Sequence, residues 1–575
     1  MTAFPELLLR HVRKGGAFLL VAAVMGCSTA GPGTVPPRGG AVASAAGDAT
    51  AAGLDALAAG GNAVDAAVAT ALALAVVHPE AGNLGGGGFA VGRVRGELFA
   101  LDFREVAPAA ATPTMFQGPD GVPVPERSLV GPLAAGVPGS PVGLWELHRR
   151  FGVLPWARVV EPALRLARDG FRLTEREAAA IARERDLLAR FPETAAVWLP
   201  GGDAPAAGTT VRLPRLAALL TAYAQRGPEA IVTGEAALAV ERASRAHGGI
   251  LTAADLAAYR PAWREPVRFA AFGWEVASMP LPSSGGIILG QTCGLLQRLG
   301  WDALPPASVA RVHLLVEAWR RAYADRVLLG DPTTTLASER ELLDPRWLDR
   351  RAAEIPRERA TPSGEVRSWG PHVGERPETT HLSVVDAAGN AVALTTTLNG
   401  SFGCGLLVGE LEILLNNEMD DFAAAPGTAN LYGLVQGEAN AVGPGKRMLS
   451  SMAPTVAWRG EEVLALGSPG GSRIPTATGQ VFLAVAVDGL SLGQAVARPR
   501  VHHQWLPDRV LCEPEACAAL AAPLAALGHR VAPEPKLGEV HAARRTASGR
   551  LEAAADPRGP GSAGVWPAGG FRPHR

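Results

Sequence analysis

Lysine is nearly missing from this 575-residue chain: only Lys14, Lys446 and Lys536 occur, and arginine supplies the remaining cations. The 54 cations face 55 carboxylates, giving a formal net charge of -1. A chain so balanced has no global positive field to release counterions from a phosphate backbone, which argues against nucleic acid as a partner. Cysteine is scarce too. The five present follow no zinc-ligand spacing. Nowhere does the chain run to eighteen unbroken apolar residues, so no segment reads as a membrane-spanning helix. Intrinsic disorder is excluded by the opposite test, since 47% of residues are apolar and 19% charged.

The first residues read as an address. Arg10, Arg13 and Lys14 precede a short apolar stretch, Ala17 to Val24, and then Val24-Met25-Gly26-Cys27. That layout predicts a signal peptide over 1–26, and the small residue before Cys27 resembles a bacterial lipoprotein box in which the cysteine is acylated. Ser28 resembles outer-membrane sorting, so the expected location is the periplasm, anchored by lipid at Cys27. An ordinary secretory cleavage nearby is the alternative. Residues 27–48, poor in large apolar side chains, are expected to be a flexible tether. In an oxidising compartment Cys512 and Cys517 are close enough in sequence for a local disulfide, while Cys293 and Cys404 read as buried thiols.

Periodicity divides the chain beyond the tether. Asn62 to Val77 carries Ala, Val or Leu at nearly every position, so it predicts a fully buried helix with Asp65 in its first turn. Helical periodicity dominates from Ser140 to Ala360, for instance over Val159–Arg168, Glu175–Arg190, Val309–Leu329 and Pro345–Glu354. Residues 361–377 read as an exposed mobile loop. From Thr379 the pattern switches to alternation, predicting hairpins, before Ile474–Val487 and Leu492–Arg498 return to helix. If the first hairpin turns between Asp386 and Asn390, its register sets Thr379 opposite Thr397, with Thr395 and Asn399 continuing the face and Val392 and Leu394 turned to a core. A solvent-exposed threonine ladder explains the alternation equally well.

Longer blocks carry more information. ETTHLSVVDAAGNAVALTTTLNGSFGCG, ILLNNEMDDF, YGLVQGEANAVGPGKRMLSSMAPT and GSPGGSRI occur in that order, with GGNAVDAAVAT, HPEAGNLGGGGF, LDFRE, MPLPSSGG and LLGDP upstream and RPRVHHQWLPD downstream. Over nearly all of the chain after the tether this resembles the γ-glutamyltransferase (γ-glutamyl transpeptidase) family. The resemblance implies an α+β, four-layer αββα fold of the N-terminal-nucleophile hydrolase type. It also implies a precursor that cuts itself at Glu378-Thr379 into a large chain (49–378) and a small catalytic chain (379–575), which remain together as a heterodimer.

The same resemblance assigns roles. Thr379 is the implied nucleophile, Thr397 orients it, and Gly470 and Gly471 form the oxyanion hole. Arg104, with Ser450 and Ser451, is implied to bind the α-carboxylate of a γ-glutamyl compound such as glutathione. Asn399, Glu418 and Asp421 are implied to receive its α-ammonium, and Tyr432 belongs to a lid loop over 426–436. Water or an acceptor amino acid then takes the γ-glutamyl group. No cofactor or metal is implied. Leu411-Glu412 and Cys404 depart from the family pattern close to the active-site strands, where they could alter donor preference. Glutaryl-cephalosporin acylases of the same superfamily are the nearest alternative activity, and a non-catalytic binding lipoprotein is a third reading.

Three other signals are discounted. Gly489-Leu490-Ser491-Leu492-Gly493 satisfies G-x-S-x-G but lacks the later acid and histidine of a hydrolase elbow, so Ser491 is expected to cap a helix. Gly85 to Gly88 has no following Lys-Ser/Thr, and FAVGRVRGELFALDF reads as a hairpin. His502-His503 has no ligand partners at metal spacing and is expected to be structural.

Overall fold

The computed structural model describes residues 38–366, 379–425 and 437–567. The expected signal peptide, Cys27, Glu378 and Tyr432 lie outside the described residues.

The strands that position the site are β1 (Gly40–Ser44), β2 (Gly87–Val94), β3 (Glu97–Phe103), β4 (Ala262–Arg264), β5 (Val267–Ala271), β6 (Trp274–Ser278), β7 (Thr380–Asp386), β8 (Ala391–Thr397), β9 (Thr455–Arg459), β10 (Glu462–Gly467), β11 (His541–Arg545), β12 (Leu551–Ala554) and β13 (Ser562–Trp566). They form a seven-stranded sheet, β13-β1-β7-β8-β2-β3-β4, and a six-stranded sheet, β12-β11-β10-β9-β6-β5. The principal helices are α1 (Gly47–Ala58), α2 (Ala63–Val77), α3 (Ser140–Phe151), α4 (Trp156–Asp169), α5 (Gly285–Arg298), α6 (Val309–Asp325), α7 (Arg473–Ala486), α8 (Leu492–Ala497) and α9 (Pro514–Ala526). The chain is α+β.

Alternation assigns each strand face. In the first sheet Ala41, Val385, Ala391 and Ala393 turn inward and meet Val456, Val463, Ala465 and Ala543 of the second sheet. Their neighbours Val42, Leu382, Val384, Val392 and Leu394 turn outward into a cluster with α1 to α4. Trp274, Val276, Leu464 and Leu466 of the second sheet likewise face α5, α6 and α7. The small side chains between the sheets allow close approach, while the bulk of the apolar burial lies under the helices.

Local signals explain the elements. Asn62 caps α2, its side chain accepting from Val64 N at 2.8 Å and Asp65 N at 3.1 Å, and Asp65 accepts back from Asn62 N at 2.8 Å. This reciprocal cap opens a helix that is buried almost throughout. The β2–β3 hairpin turns on Arg95 and Gly96, whose φ angles of 52° and 83° suit a tight two-residue turn. Ser491 caps α8 in a capping box with Gln494, as expected for the discounted motif. Cys512 and Cys517 are disulfide-bonded, and Cys293 and Cys404 are buried thiols.

Three expectations need correction. Gly40–Ser44, placed by composition in the tether, is the fully buried strand β1, paired with β13 on one side and β7 on the other. Of the loop expected over 361–377, the described part is anchored: Ser363 is buried, its hydroxyl donating to Trp505 O at 2.6 Å and its N–H to Asp508 at 2.8 Å. The helix expected over Glu175–Arg190 breaks at Glu184 into Glu175–Arg183 and Arg185–Leu188.

Both sheets interleave strands from either side of residue 379. β1 lies between β13 and β7, β2 pairs with β8, and β6 pairs with β9. Cutting the chain before Thr379 would therefore leave two polypeptides joined by continuous hydrogen-bonded ladders.

Burial also loads the fold with neutral histidines. It holds His381 well below the usual imidazole range and pushes His503, His529 and His541 down to about 4 and His502 to about 3. Unfolding returns these rings to ordinary values near about 6.5, so below that pH the unfolded chain binds more protons. Stability should be fully present above about pH 6.5 and fall steeply toward about pH 4, read as a dropping urea midpoint across that window.

Candidate active site

Strand pairing brings the two threonines together. Thr380 pairs with Thr396 and Val385 with Ala391, the register expected from an Asp386–Asn390 turn. One further step sets Thr379 opposite Thr397 on the face directed at the second sheet. Asp386 closes the turn by accepting from the N–H groups of Ala388 and Asn390, each at 3.0 Å. The Thr397 hydroxyl accepts from Asn399 N at 2.7 Å. Asn399 makes that contact with a φ of 72°, a left-handed conformation that asparagine tolerates better than most residues.

Arg104 follows β3 and is fully buried. Its guanidinium pairs with Glu418 through Nη1 and with Asp421 through Nη2, the latter at 2.5 Å. The two carboxylates lie three residues apart on one 3-10 turn, Glu418–Asp421, a spacing that stacks side chains on the same side. Burial disfavours the arginine charge, but Glu418, Asp421 and Glu105 outweigh it and drive the guanidinium pKa above its usual value. Burial likewise raises the Glu418 carboxyl, against the pull of Arg104.

These groups share one cavity. Thr379, Thr397, Asn399, Arg104, Glu418, Asp421, Ser450, Ser451 and Gly471 line a space of about 20 Å³, completed by Met452 and Ile474. Gly470 stands next to it, outside the lining. Gly470 and Gly471 have φ angles of +125° and +55° just before α7, and among the described residues neither N–H donates to another backbone group. Ser450 Oγ accepts from Met452 N at 3.1 Å, and the buried Ser451 Oγ has no partner among the described residues. The arrangement offers a hydroxyl nucleophile, unpaired backbone donors beside a helix start, and a buried cation and two buried anions for a zwitterion.

The gamma-glutamyltranspeptidase family matches residues 49–566. The chain belongs to that family. It is 43% identical over 510 residues to a glutathione hydrolase proenzyme of Pseudomonas aeruginosa, covering 87% of this chain and 90% of the relative. It is 42% identical over 528 residues to the glutathione hydrolase proenzyme of Escherichia coli K12, covering 91% of each. Among solved structures, a cephalosporin acylase from Bacillus halodurans superposes with a TM-score of 0.81 at 27% identity, covering 92% of this chain and 96% of the other.

In this transpeptidase-family chain the departures from the family pattern stay out of the cavity. Cys404 is buried in the helix-side core, and Glu412 accepts from Arg215 N at 2.9 Å on a turn away from the lining. Two functional neighbours are not singled out by sequence reasoning. Asn83 is buried and donates to Thr396 Oγ1 at 2.9 Å and Thr397 O at 2.8 Å, so it holds the end of β8 in place. Its available signal was a polar side chain within a glycine-rich run. Glu105 is fully buried, 3.9 Å from Arg104 Nη1, with neither oxygen hydrogen-bonded among the described residues.

One cluster has metal-ligand composition. His313, Glu317 and His529 converge within 4.8 Å. The Glu317 carboxylate is already neutralised by Arg320 and Arg321, and His313 Nδ1 and His529 Nε2 are hydrogen-bonded to each other at 2.8 Å. His313 Nε2 reaches Pro356 O at 2.7 Å, and Arg320 Nη2 lies 3.4 Å from His529 Nδ1. Guanidinium groups thus stand where a cation would, and both rings are satisfied while neutral.

Burial pushes the Glu105 carboxyl up to about 7 despite the opposing pull of Arg104. Above that pH it ionises and competes with any incoming carboxylate for Arg104. Inhibition by L-glutamate should weaken several-fold between about pH 6 and about pH 8, and Glu105→Gln should flatten that dependence.

Proposed function

We propose that this protein is a γ-glutamyltransferase that cleaves γ-glutamyl amides such as glutathione and passes the γ-glutamyl group to water or to an amino acid or peptide. The observation that carries this reading is the placement of Thr379 in one cavity with Arg104, Glu418 and Asp421. Maturation is autocatalytic. The Thr379 hydroxyl attacks the Glu378 carbonyl, water opens the resulting ester, and Thr379 gains a free α-amine. The products are the large chain 49–378 and the small chain 379–575, held together by the interleaved strands in a four-layer αββα arrangement of the N-terminal-nucleophile type.

That α-amine is the base. With a reference pKa of about 7.7–8.0, roughly a tenth of it is neutral at pH 7, enough to take the hydroxyl proton as Thr379 Oγ bonds to the γ-carbonyl carbon. Thr397, fixed by Asn399 N, orients the nucleophile, and the N–H groups of Gly470 and Gly471 receive the oxyanion. Each such donor contributes about 3 kcal/mol of transition-state stabilisation. The tetrahedral centre then breaks its C–N bond, the leaving amine takes the proton, and a γ-glutamyl ester on Thr379 remains for water or an acceptor amine.

Donor choice follows from charge. The unliganded cavity is self-compensated, Arg104 being held by Glu418 and Asp421. A γ-glutamyl zwitterion exchanges partners: its carboxylate takes Arg104, beside Ser450 and Ser451, and its ammonium takes the two acids and Asn399. Two internal pairs, Arg104 with Glu418 and Arg104 with Asp421, give way to three pairs with the ligand. A glutaryl group brings only the carboxylate and strands two buried anions, a loss on the order of 3–5 kcal/mol. The similarity to a cephalosporin acylase favours the second reading, a glutaryl amidase. The sequence features at Cys27 support a periplasmic, lipid-anchored location.

Purified protein should resolve into bands of roughly 36 kDa (27–378, tether included) and roughly 20 kDa (379–575), scaled from chain length, whereas Thr379→Ala should remain a single uncut chain. Turnover of γ-glutamyl-p-nitroanilide should exceed that of the glutaryl analogue at least about a hundredfold. A preference for glutaryl would replace this assignment with the acylase reading, and an uncut inactive wild type would replace it with a binding protein.

A further inference from the structure

A second, larger cavity of about 220 Å³ shares no lining residue with the Thr379 site. It lies between α6, α7, α8 and α9. On α7 it is reached at Gln480, Leu483 and Ala484, the nearest about 10 Å along the helix axis from the end that follows Gly471. Its walls are aliphatic, with Leu315, Leu483 and Leu520 projecting from three different helices. Trp301 adds an aromatic surface, covered by the Arg311 guanidinium at 4.2 Å from the ring centroid. An aliphatic cavity of about 150 Å³ is enough to take up benzene, so this space accommodates a single ring and a short substituent.

Three arginines lead the polar lining. Arg311, Arg498 and Arg500 all line the cavity, and Asp488 is the shared carboxylate for the first two, paired with Arg498 at 2.5 Å. Glu515 is the other lining acid and stands exposed on the outer side. Arg500 is almost completely buried and donates to Leu537 O at 3.0 Å, Val496 O at 2.7 Å and Asp556 at 2.6 Å. Its Nε has no hydrogen-bond partner among the described residues. A buried donor left without an acceptor is costly, and a ligand oxygen relieves it.

The geometry points to a binding site for a small aromatic or branched aliphatic monocarboxylate, its apolar body against the leucines and Trp301 and its carboxylate toward Arg498 and Arg500. The site is separate from the γ-glutamyl chemistry, and its occupant need not resemble an amino acid.

Phenylacetate is the probe. Titrated calorimetrically into the intact protein with saturating L-glutamate present to occupy the Arg104 site, it should bind saturably with a Kd of about 1 mM or tighter. Its neutral counterpart, 2-phenylacetamide, should bind at least about tenfold more weakly. Ala516→Phe, which fills the cavity, should lower phenylacetate affinity at least about tenfold while leaving γ-glutamyl-p-nitroanilide turnover within about twofold of the parent. Ala484→Leu serves the same end if the first variant does not fold. Absence of saturable binding, equal affinity for acid and amide, or undiminished binding in both filled variants would overturn the assignment.

Discussion

The site depends on the register of one hairpin. Because side chains alternate with a period of two, a slip of one residue between β7 and β8 would turn Thr379 and Thr397 away from the second sheet and drive Leu382 and Leu394 into the narrow space between the sheets. That slip is opposed from both sides. Val42, Leu382, Val384, Val392 and Leu394 fill the helix-facing core, and the buried apolar residues of this hairpin that face the second sheet, Val385, Ala391 and Ala393, meet only alanines and valines of its buried core. The Asp386 turn and the Asn83 side chain then pin the two ends of β8. The reactive end of a strand is thereby positioned by core packing along its entire length.

A second constraint is electrostatic. Arg104, Glu105, Glu418 and Asp421 are all buried, an arrangement that costs several kcal/mol per charge unless each is paired. Arg104 is paired inside the cluster with Glu418 and Asp421, so a ligand binds by replacing those internal pairs with its own charges. Such exchange selects for a molecule carrying both signs at the right separation. Among the described residues, Met452 and Ile474 are the only large apolar side chains of the lining, and the other side chains there are polar or charged.

Much of this was readable in the residues. Alternation over Thr379–Thr397, the run Asn62–Val77 and the capping serine at 491 each declare themselves through local pattern, and the hairpin register followed from the turn residues. The remainder is non-local. β1 reads as a linker because Gly, Ala, Val and Ser carry little periodic signal, and its burial is conferred by β7 and β13, which lie hundreds of residues away. The anchoring of Ser363 likewise depends on Asp508 and Trp505. Glu105 was hidden for another reason: a carboxylate beside an arginine reads as an exposed pair until burial is known. The expected roles of Arg104, Glu418 and Asp421 came from the family resemblance, and the structure adds that both acids pair with the arginine.

Interleaving of both sheets across residue 379 gives Thr379 its setting, since a chain end created by the proposed cleavage would lead into a strand already held by neighbours on both sides. In the proposed mechanism this residue carries the covalent intermediate. Rapid acid quenching during turnover of a γ-glutamyl donor, then intact-mass and peptide mass spectrometry of the smaller chain, tests it most directly. A glutamyl adduct confined to the peptide that starts at Thr379, and attached to that residue's hydroxyl, is the predicted result. An adduct on any other residue, or full turnover with no adduct under conditions that trap esters, would contradict it.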